Sequence, residues 1–240
     1  EWCAGRSCDG KQLILMKQTH VSLFTGIGGI DLAAEWAGFK TILQVEKDEL
    51  CNCILSSRWP GAARIKDVGL FPEIQGASID LVSAGWPCQP FSTAARGRNV
   101  AADLWPKTFS ILESVRPTYF LGENVQRKPV ARAAEELAQL GYRSALLRIP
   151  AAAVGAPHLR TRWFLAAHSY GEGKRSRAFD EQMAGLRKFP DMDVWQEVDT
   201  SLGMDDGVPG RMDRLRALGN AVVPQQVFPV IKAMADVGSL

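Results

Sequence analysis

Strand-like and helix-like segments alternate along this chain from His20 to Ala167, and a glycine-rich turn closes the first strand. His20 to Thr25 reads as a buried strand, Gly26 to Gly29 as a tight turn, and Ile30 to Ala37 as a helix stopped by Gly38. Thr41 to Val45 is a second strand, and Glu49 to Arg58 a second helix ended by Pro60-Gly61. Ile79 to Ala84 is a strand that runs into Gly85-Trp86-Pro87. Leu104 to Val115 has helical spacing, and Thr118 to Leu121 is a strand ending at Gly122-Glu123-Asn124. Val130 to Leu140 is an Ala-rich helix, and Arg143 to Ile149 and Arg162 to Ala167 read as strands. This order predicts an α/β domain with a mostly parallel sheet and right-handed crossovers. After His168 the pattern fails. Ser169 to Gly210 shows no strong period and reads as a small insert or subdomain. Val223 to Val237 should be a closing helix, with Pro224 suited to its first turn and Pro229 expected to kink it.

A chain of 240 residues supports one large domain, or one domain and a small appendage. It contains no run of 18 apolar residues, so a transmembrane helix is not expected. Its five cysteines are odd in number and fit no zinc spacing, so no metal is expected and a reducing, cytoplasmic compartment is the natural reading. Glu1 to Leu15 has no clear period, and its Leu13-Ile14-Leu15 is too short for a signal-peptide core. The functional start is therefore expected near Met16. The net charge of +2 names no partner, but its distribution is uneven. Ala151 to Pro190 carries seven Lys or Arg against three acids, whereas Asp191 to Asp206 carries six acids and no base. A patchy solvated surface gives the same pattern.

Four constellations stand at expected strand ends. Phe24-Thr25-Gly26-Ile27-Gly28-Gly29 lets a ligand approach backbone closely. Glu46 follows Gly28 by 18 residues at the end of the second strand, where a carboxylate can bind ribose hydroxyls; Asp67 lies 21 residues further on. A glycine turn with two surface acids would look the same. Ala84-Gly85-Trp86-Pro87-Cys88-Gln89-Pro90-Phe91-Ser92 holds a thiol between two prolines, which suits a nucleophile of lowered pKa. Packing is the commoner fate of a free cysteine, but these polar, proline-rich neighbours argue against it. Gly122-Glu123-Asn124-Val125 offers a candidate general acid. In His158-Leu159-Arg160-Thr161-Arg162, alternate side chains of an extended segment point the same way, so both arginines could face a carbonyl oxygen, carboxylate or phosphate. A capping acid and solvated arginines would read alike.

Taken in order with Gly219-Asn220-Ala221-Val222-Val223-Pro224, these motifs resemble the cytosine-C5 DNA methyltransferase family over about Val21 to Ala167 and Arg211 to the C-terminus. The resemblance implies a Rossmann-like class I methyltransferase domain over residues 16–168, returning at 211–240, with a small, reduced target-recognition region at 169–210. It implies Cys88 as the nucleophile on C6 of cytosine, Glu123 as the acid at N3, and Arg160 and Arg162 near O2 and that glutamate. Phe24, Gly26, Ile27, Gly28, Glu46, Lys47, Asp67, Val68, Asn220 and Val222 match the S-adenosylmethionine pocket. Gln89 and Ser92 fall on a loop that closes over DNA, where Arg96, Gly97 and Arg98 could touch phosphates.

The chemistry fits, because C5 of cytosine is a poor nucleophile until a thiolate adds at C6, and the target must be flipped out of the duplex to be reached. Duplex DNA is the implied partner, with a separately encoded restriction endonuclease as a further one; no membrane partner and a monomer are expected. Three departures stand out. His158 replaces a usual Gln, Trp86 replaces a smaller apolar residue, and the 42 residues from Ser169 to Gly210 are few for target recognition. A cofactor- or DNA-binding homologue without turnover and an RNA cytosine methyltransferase are the competing readings, with a dinucleotide oxidoreductase a distant third.

Overall fold

A computed structural model of the chain describes residues 18–72, 78–87, 103–187 and 218–240. The elements are β1 (Thr19–Leu23), α1 (Gly29–Trp36), β2 (Lys40–Val45), α2 (Glu49–Arg58), β3 (Ala63–Ile65) and β4 (Leu81–Ala84). They continue with α3 (Trp105–Val115), β5 (Tyr119–Asn124), α4 (Arg127–Gln139), β6 (Arg143–Ile149), β7 (Arg162–His168), α5 (Lys174–Leu186) and α6 (Pro224–Gly238). Seven strands form one sheet in the order β3-β2-β1-β4-β5-β7-β6. All pair in parallel except β7, which runs antiparallel to both β5 and β6. The start of β7 therefore lies at the carboxyl edge of the other strands, the edge where open α/β sheets bind ligands.

Apolar residues on alternate strand positions feed two cores. One joins Leu81, Tyr119, Leu121 and Phe164 to α1, α5 and α6; the other joins Val21, Leu23, Val82 and Phe120 to α3 and α4. Each fully buried side chain of this size contributes about 1.5–3 kcal/mol, so both sheet faces must stay covered. The central strands β1, β4 and β5 are buried on both faces, as expected of a mostly parallel sheet, whereas the edge strands β3 and β6 are partly exposed.

Two expectations after His168 change. The stretch without a strong period contains α5, whose Ser176, Phe179 and Met183 are buried against the first core. Its apolar face is narrow and the rest of the helix is polar, which hides the period. α6 runs unbroken through Pro229. Buried Val227, Val230, Ile231 and Met234 pack it onto the core, and packing outweighs the one hydrogen bond that a proline removes.

A buried polar group lies beneath the first turn. Asp31, on α1, accepts from the Ser22 hydroxyl at 2.9 Å and from the Gln44 side-chain amide at 2.9 Å. His20 bridges the hydroxyls of Thr41 and Ser83, both at 2.8 Å. The β1–β2 register shifts between His20 and Val21, beside this bridge. These contacts tie β2, β1 and β4 together below the ends that carry the site.

Candidate active site at the carboxyl edge of the sheet

The turn after β1 fits because two glycines leave room for neighbours. Gly28 has φ +85, and a Cβ there would meet the Trp59 ring at 2.4 Å. A Cβ on Gly29 would stand 2.2 Å from the Val222 carbonyl oxygen. The first turn and the last motif thus touch backbone to backbone, although some 190 residues separate them. Gly29→Ala must push them apart, and is expected to destabilise the fold by about 1–3 kcal/mol in a urea melt.

The cavity at this edge has a volume of about 460 Å³, within the usual range for small-molecule sites. Of the sequence candidates, Phe24, Gly26, Glu46, Lys47, Asp67, Val68, Glu123, Arg162 and Asn220 line it. Glu46 accepts from the Gly26 and Asp48 N–H groups, each at 2.7 Å, which anchors the acid to both strand ends. Asp67 caps the short helical turn that follows β3, accepting from Gly69 N–H at 2.6 Å.

Glu123 and Arg162 meet because β7 is reversed. Glu123 is near the end of β5 and Arg162 at the start of β7, with Arg162 Nε 2.9 Å from Glu123 Oε1. Both side chains are about nine-tenths buried, at 12% and 10% exposed. Burial pushes the Glu123 carboxyl up to about 7, and the nearby arginine charges offset only part of that rise. Oε1 has no aligned hydrogen-bond donor, although the Arg162 charge lies beside it. An acid of this pKa can hold or give a proton near neutral pH.

Arg160 departs from expectation. Its φ is +28, so the segment is not extended there and the alternate-residue argument does not apply. Its guanidinium does not line the cavity but donates to the Gly219 carbonyl at 2.8 Å and to the Ala221 carbonyl. Ile27, Gly28 and Val222 do not line the cavity. Cys88, Gln89, Ser92, Arg96, Gly97 and Arg98 lie outside the described residues.

The lining also includes Trp86, which the sequence marks as a departure from the family pattern, and residues such as Asp48 and Cys51 to which it assigns no role. Trp86 is buried against Trp105, ring centroids 5.0 Å apart, and its carbonyl accepts from the Asn124 amide at 3.2 Å. Asp48 caps α2 at Cys51 N–H, 3.1 Å away, and Cys51 is a second buried member of the wall. The cap was visible as an Asp before a helical run; the cysteine carried no signal of its own. Among the described residues no cluster of His, Cys, Asp and Glu could hold a metal ion, and no helix is long and apolar enough to cross a membrane.

This topology and this edge define a class I methyltransferase-like domain. Residues 18–203 match the family described as C-5 cytosine-specific DNA methylase, and the chain belongs to that family. It is 33% identical over 168 residues to the type II methyltransferase M2.BsuMI of Bacillus subtilis, covering 64% of this chain and 43% of that protein. It is 31% identical over 166 residues to the type II methyltransferase M1.HphI of Haemophilus parahaemolyticus, covering 61% and 45%. The chain thus spans less than half the length of these relatives. A solved protein described as a prophage-encoded DNA modification methyltransferase (E. coli) aligns with a TM-score of 0.53 at 27% identity, over 63% of this chain and 46% of the other. The S. pombe Dnmt2 methyltransferase aligns with a TM-score of 0.53 at 23% identity, over 68% and 55%, a likeness of fold alone.

Proposed function

We propose that this protein transfers a methyl group from S-adenosylmethionine to C5 of a flipped cytosine in duplex DNA. The observation that carries this is the buried Glu123–Arg162 pair in a cavity that also receives Phe24, Glu46 and Asp67. The wall fits the methyl donor. Each Glu46 oxygen keeps acceptor capacity beyond its one backbone bond, enough for ribose hydroxyls. Phe24 and Val68 supply apolar surface, and the Asp67 carboxylate is a second acceptor for an amino group. When bound, S-adenosylmethionine supplies an electrophilic methyl group.

The chain's own groups do the rest. Cys88 follows Pro87 directly, and Pro87 lines the cavity. The Cys88 thiolate adds to C6 while Glu123 gives its proton to N3, so C5 becomes nucleophilic. Arg162 sets Glu123 and offers donors for O2. Once C5 is methylated, it loses its proton to water, the thiolate leaves C6, and N3 returns its proton to Glu123. Gln89, Ser92, Arg96 and Arg98 are assigned to DNA, and the part of 169–210 beyond α5 to target choice. Action in the cytoplasm, as a monomer, beside a separately encoded endonuclease, completes the reading.

The test uses the full chain with labelled methyl donor and three substrates: duplex DNA, the same duplex carrying 5-fluorocytosine, and tRNA. Label in duplex DNA and a denaturation-resistant adduct with the fluorinated duplex are expected. Label in tRNA alone, or methyl-donor binding with no label in either, would overturn the proposal.

A further inference from the structure

Gln226 stands on α6, fully buried, between apolar neighbours such as Val227 and Val230. Its side-chain amide donates to two backbone carbonyls, those of Ile149 and of Arg160, the latter at 2.9 Å. Both partners are acceptors, so only the NH₂ end of the amide can face them. The Oε1 end is buried and has no partner. Leaving that oxygen unpaired is unfavourable, so an apolar residue would serve better unless the two donors are needed.

What those donors hold is the segment around Arg162. Ile149 ends β6 and lies opposite Arg162 in the β6–β7 ladder, and Arg160 precedes Arg162 by two residues. The backbone of Arg160 stands at φ +28, where few side-chain-bearing residues rest, so its neighbours must keep it there. Its guanidinium in turn grips the Gly219 and Ala221 carbonyls beside the cavity. One amide therefore links α6, the end of β6 and the approach to β7, and the arginine between them links the turn at 218–221.

We propose that Gln226 is a positioning residue that sets Arg162 against Glu123 and fixes the arginine segment to the turn bordering the cavity. The proposal rests on the reading of Glu123 and Arg162 as the groups that meet the base. A merely space-filling side chain at 226 would leave the Arg162–Glu123 pair as it is.

The test reads Arg162 directly. In ¹⁵N-labelled full-length chain, its Nε–H resonance is assigned by its loss in Arg162→Lys, and its exchange with water is measured and corrected for intrinsic rates. Gln226→Met keeps length and burial but removes both donors. It is expected to speed exchange about tenfold or more and to lower kcat by a similar factor, with the KM for methyl donor within about twofold. Gln226→Glu separates the carbonyl contacts from packing. A protonated carboxyl there offers one donor and an ionised one offers none, so Arg162 protection should fall as pH rises. In the parent protein it should hold or strengthen as Glu123 ionises. Unchanged Arg162 exchange in Gln226→Met, or protection without that pH dependence in Gln226→Glu, overturns the proposal. Should Gln226→Met not fold, Gln226→Glu carries the test alone. Absence of methyl transfer by the parent protein would sink the function reading, while the exchange measurement still decides the role of Gln226.

Discussion

Cys88→Ser is expected to abolish methyl transfer to DNA, and Glu123→Gln to slow it by about 10²- to 10⁴-fold. A serine hydroxyl stays protonated where a thiol can ionise, so no group adds to C6. Glutamine keeps the shape and can hydrogen-bond N3, but it cannot deliver a proton. The two losses differ in their pH signature. Burial raises Glu123 to about 7, and its protonated form is the one that acts, so the parent rate should fall as pH climbs past that value. The thiolate requirement limits the rate at the acid end, giving a bell-shaped profile. Glu123→Gln should lose the alkaline limb and keep the acid one. Steady-state methyl transfer across pH checks this; an alkaline limb that survives in Glu123→Gln would assign it to another group.

Local signals made most of the fold legible. α2 was expected at Glu49 to Arg58 and is found there, because Asp48 caps one end and Trp59-Pro60-Gly61 breaks the other. β6 likewise matches from Arg143 to Ile149. β5 runs three residues beyond the expected Leu121, through Gly122-Glu123-Asn124. These residues break an apolar strand pattern, yet antiparallel β7 covers them and buries them. The apolar pattern stops where chemistry replaces packing, which is where local rules are expected to fail. Local patterns give Glu123 and Arg162 only as separate motifs, and it is the family resemblance that puts them together; their contact depends on strand reversal, which no local pattern encodes. The rule for extended backbone aims Arg160 alongside Arg162, and the φ of +28 at Arg160 does not obey that rule. Gln226 gave no sign, since a polar residue in an apolar closing helix looks like its solvent side.

Asp31→Asn should stabilise the protein above pH 6, although it removes a buried, hydrogen-bonded carboxylate. Burial raises Asp31 from 3.8 to about 6, and its bonds to Gln44 and Ser22 recover only part of the cost of ionising it there. The folded state therefore binds a proton more tightly than the unfolded state. Its stability falls as pH rises from about 4 through 6, and stays low above. Asparagine mimics the neutral acid, accepting from Gln44 and donating to the Ser22 oxygen. The expected gain is about 2–3 kcal/mol at pH 8, vanishing near pH 4. His20 works in the opposite sense. Burial lowers it to about 3, so the unfolded chain takes up a proton below 6.5 that the fold refuses, and stability drops with falling pH. In the parent protein the two slopes oppose each other between about pH 4 and 6. Asp31→Asn removes one and leaves the acid lability of His20 uncompensated. Urea midpoints measured across this range should show a gap between variant and parent that opens steadily with pH. A variant less stable than the parent at pH 8 would mean that the ionised carboxylate is itself a structural group beneath the glycine turn.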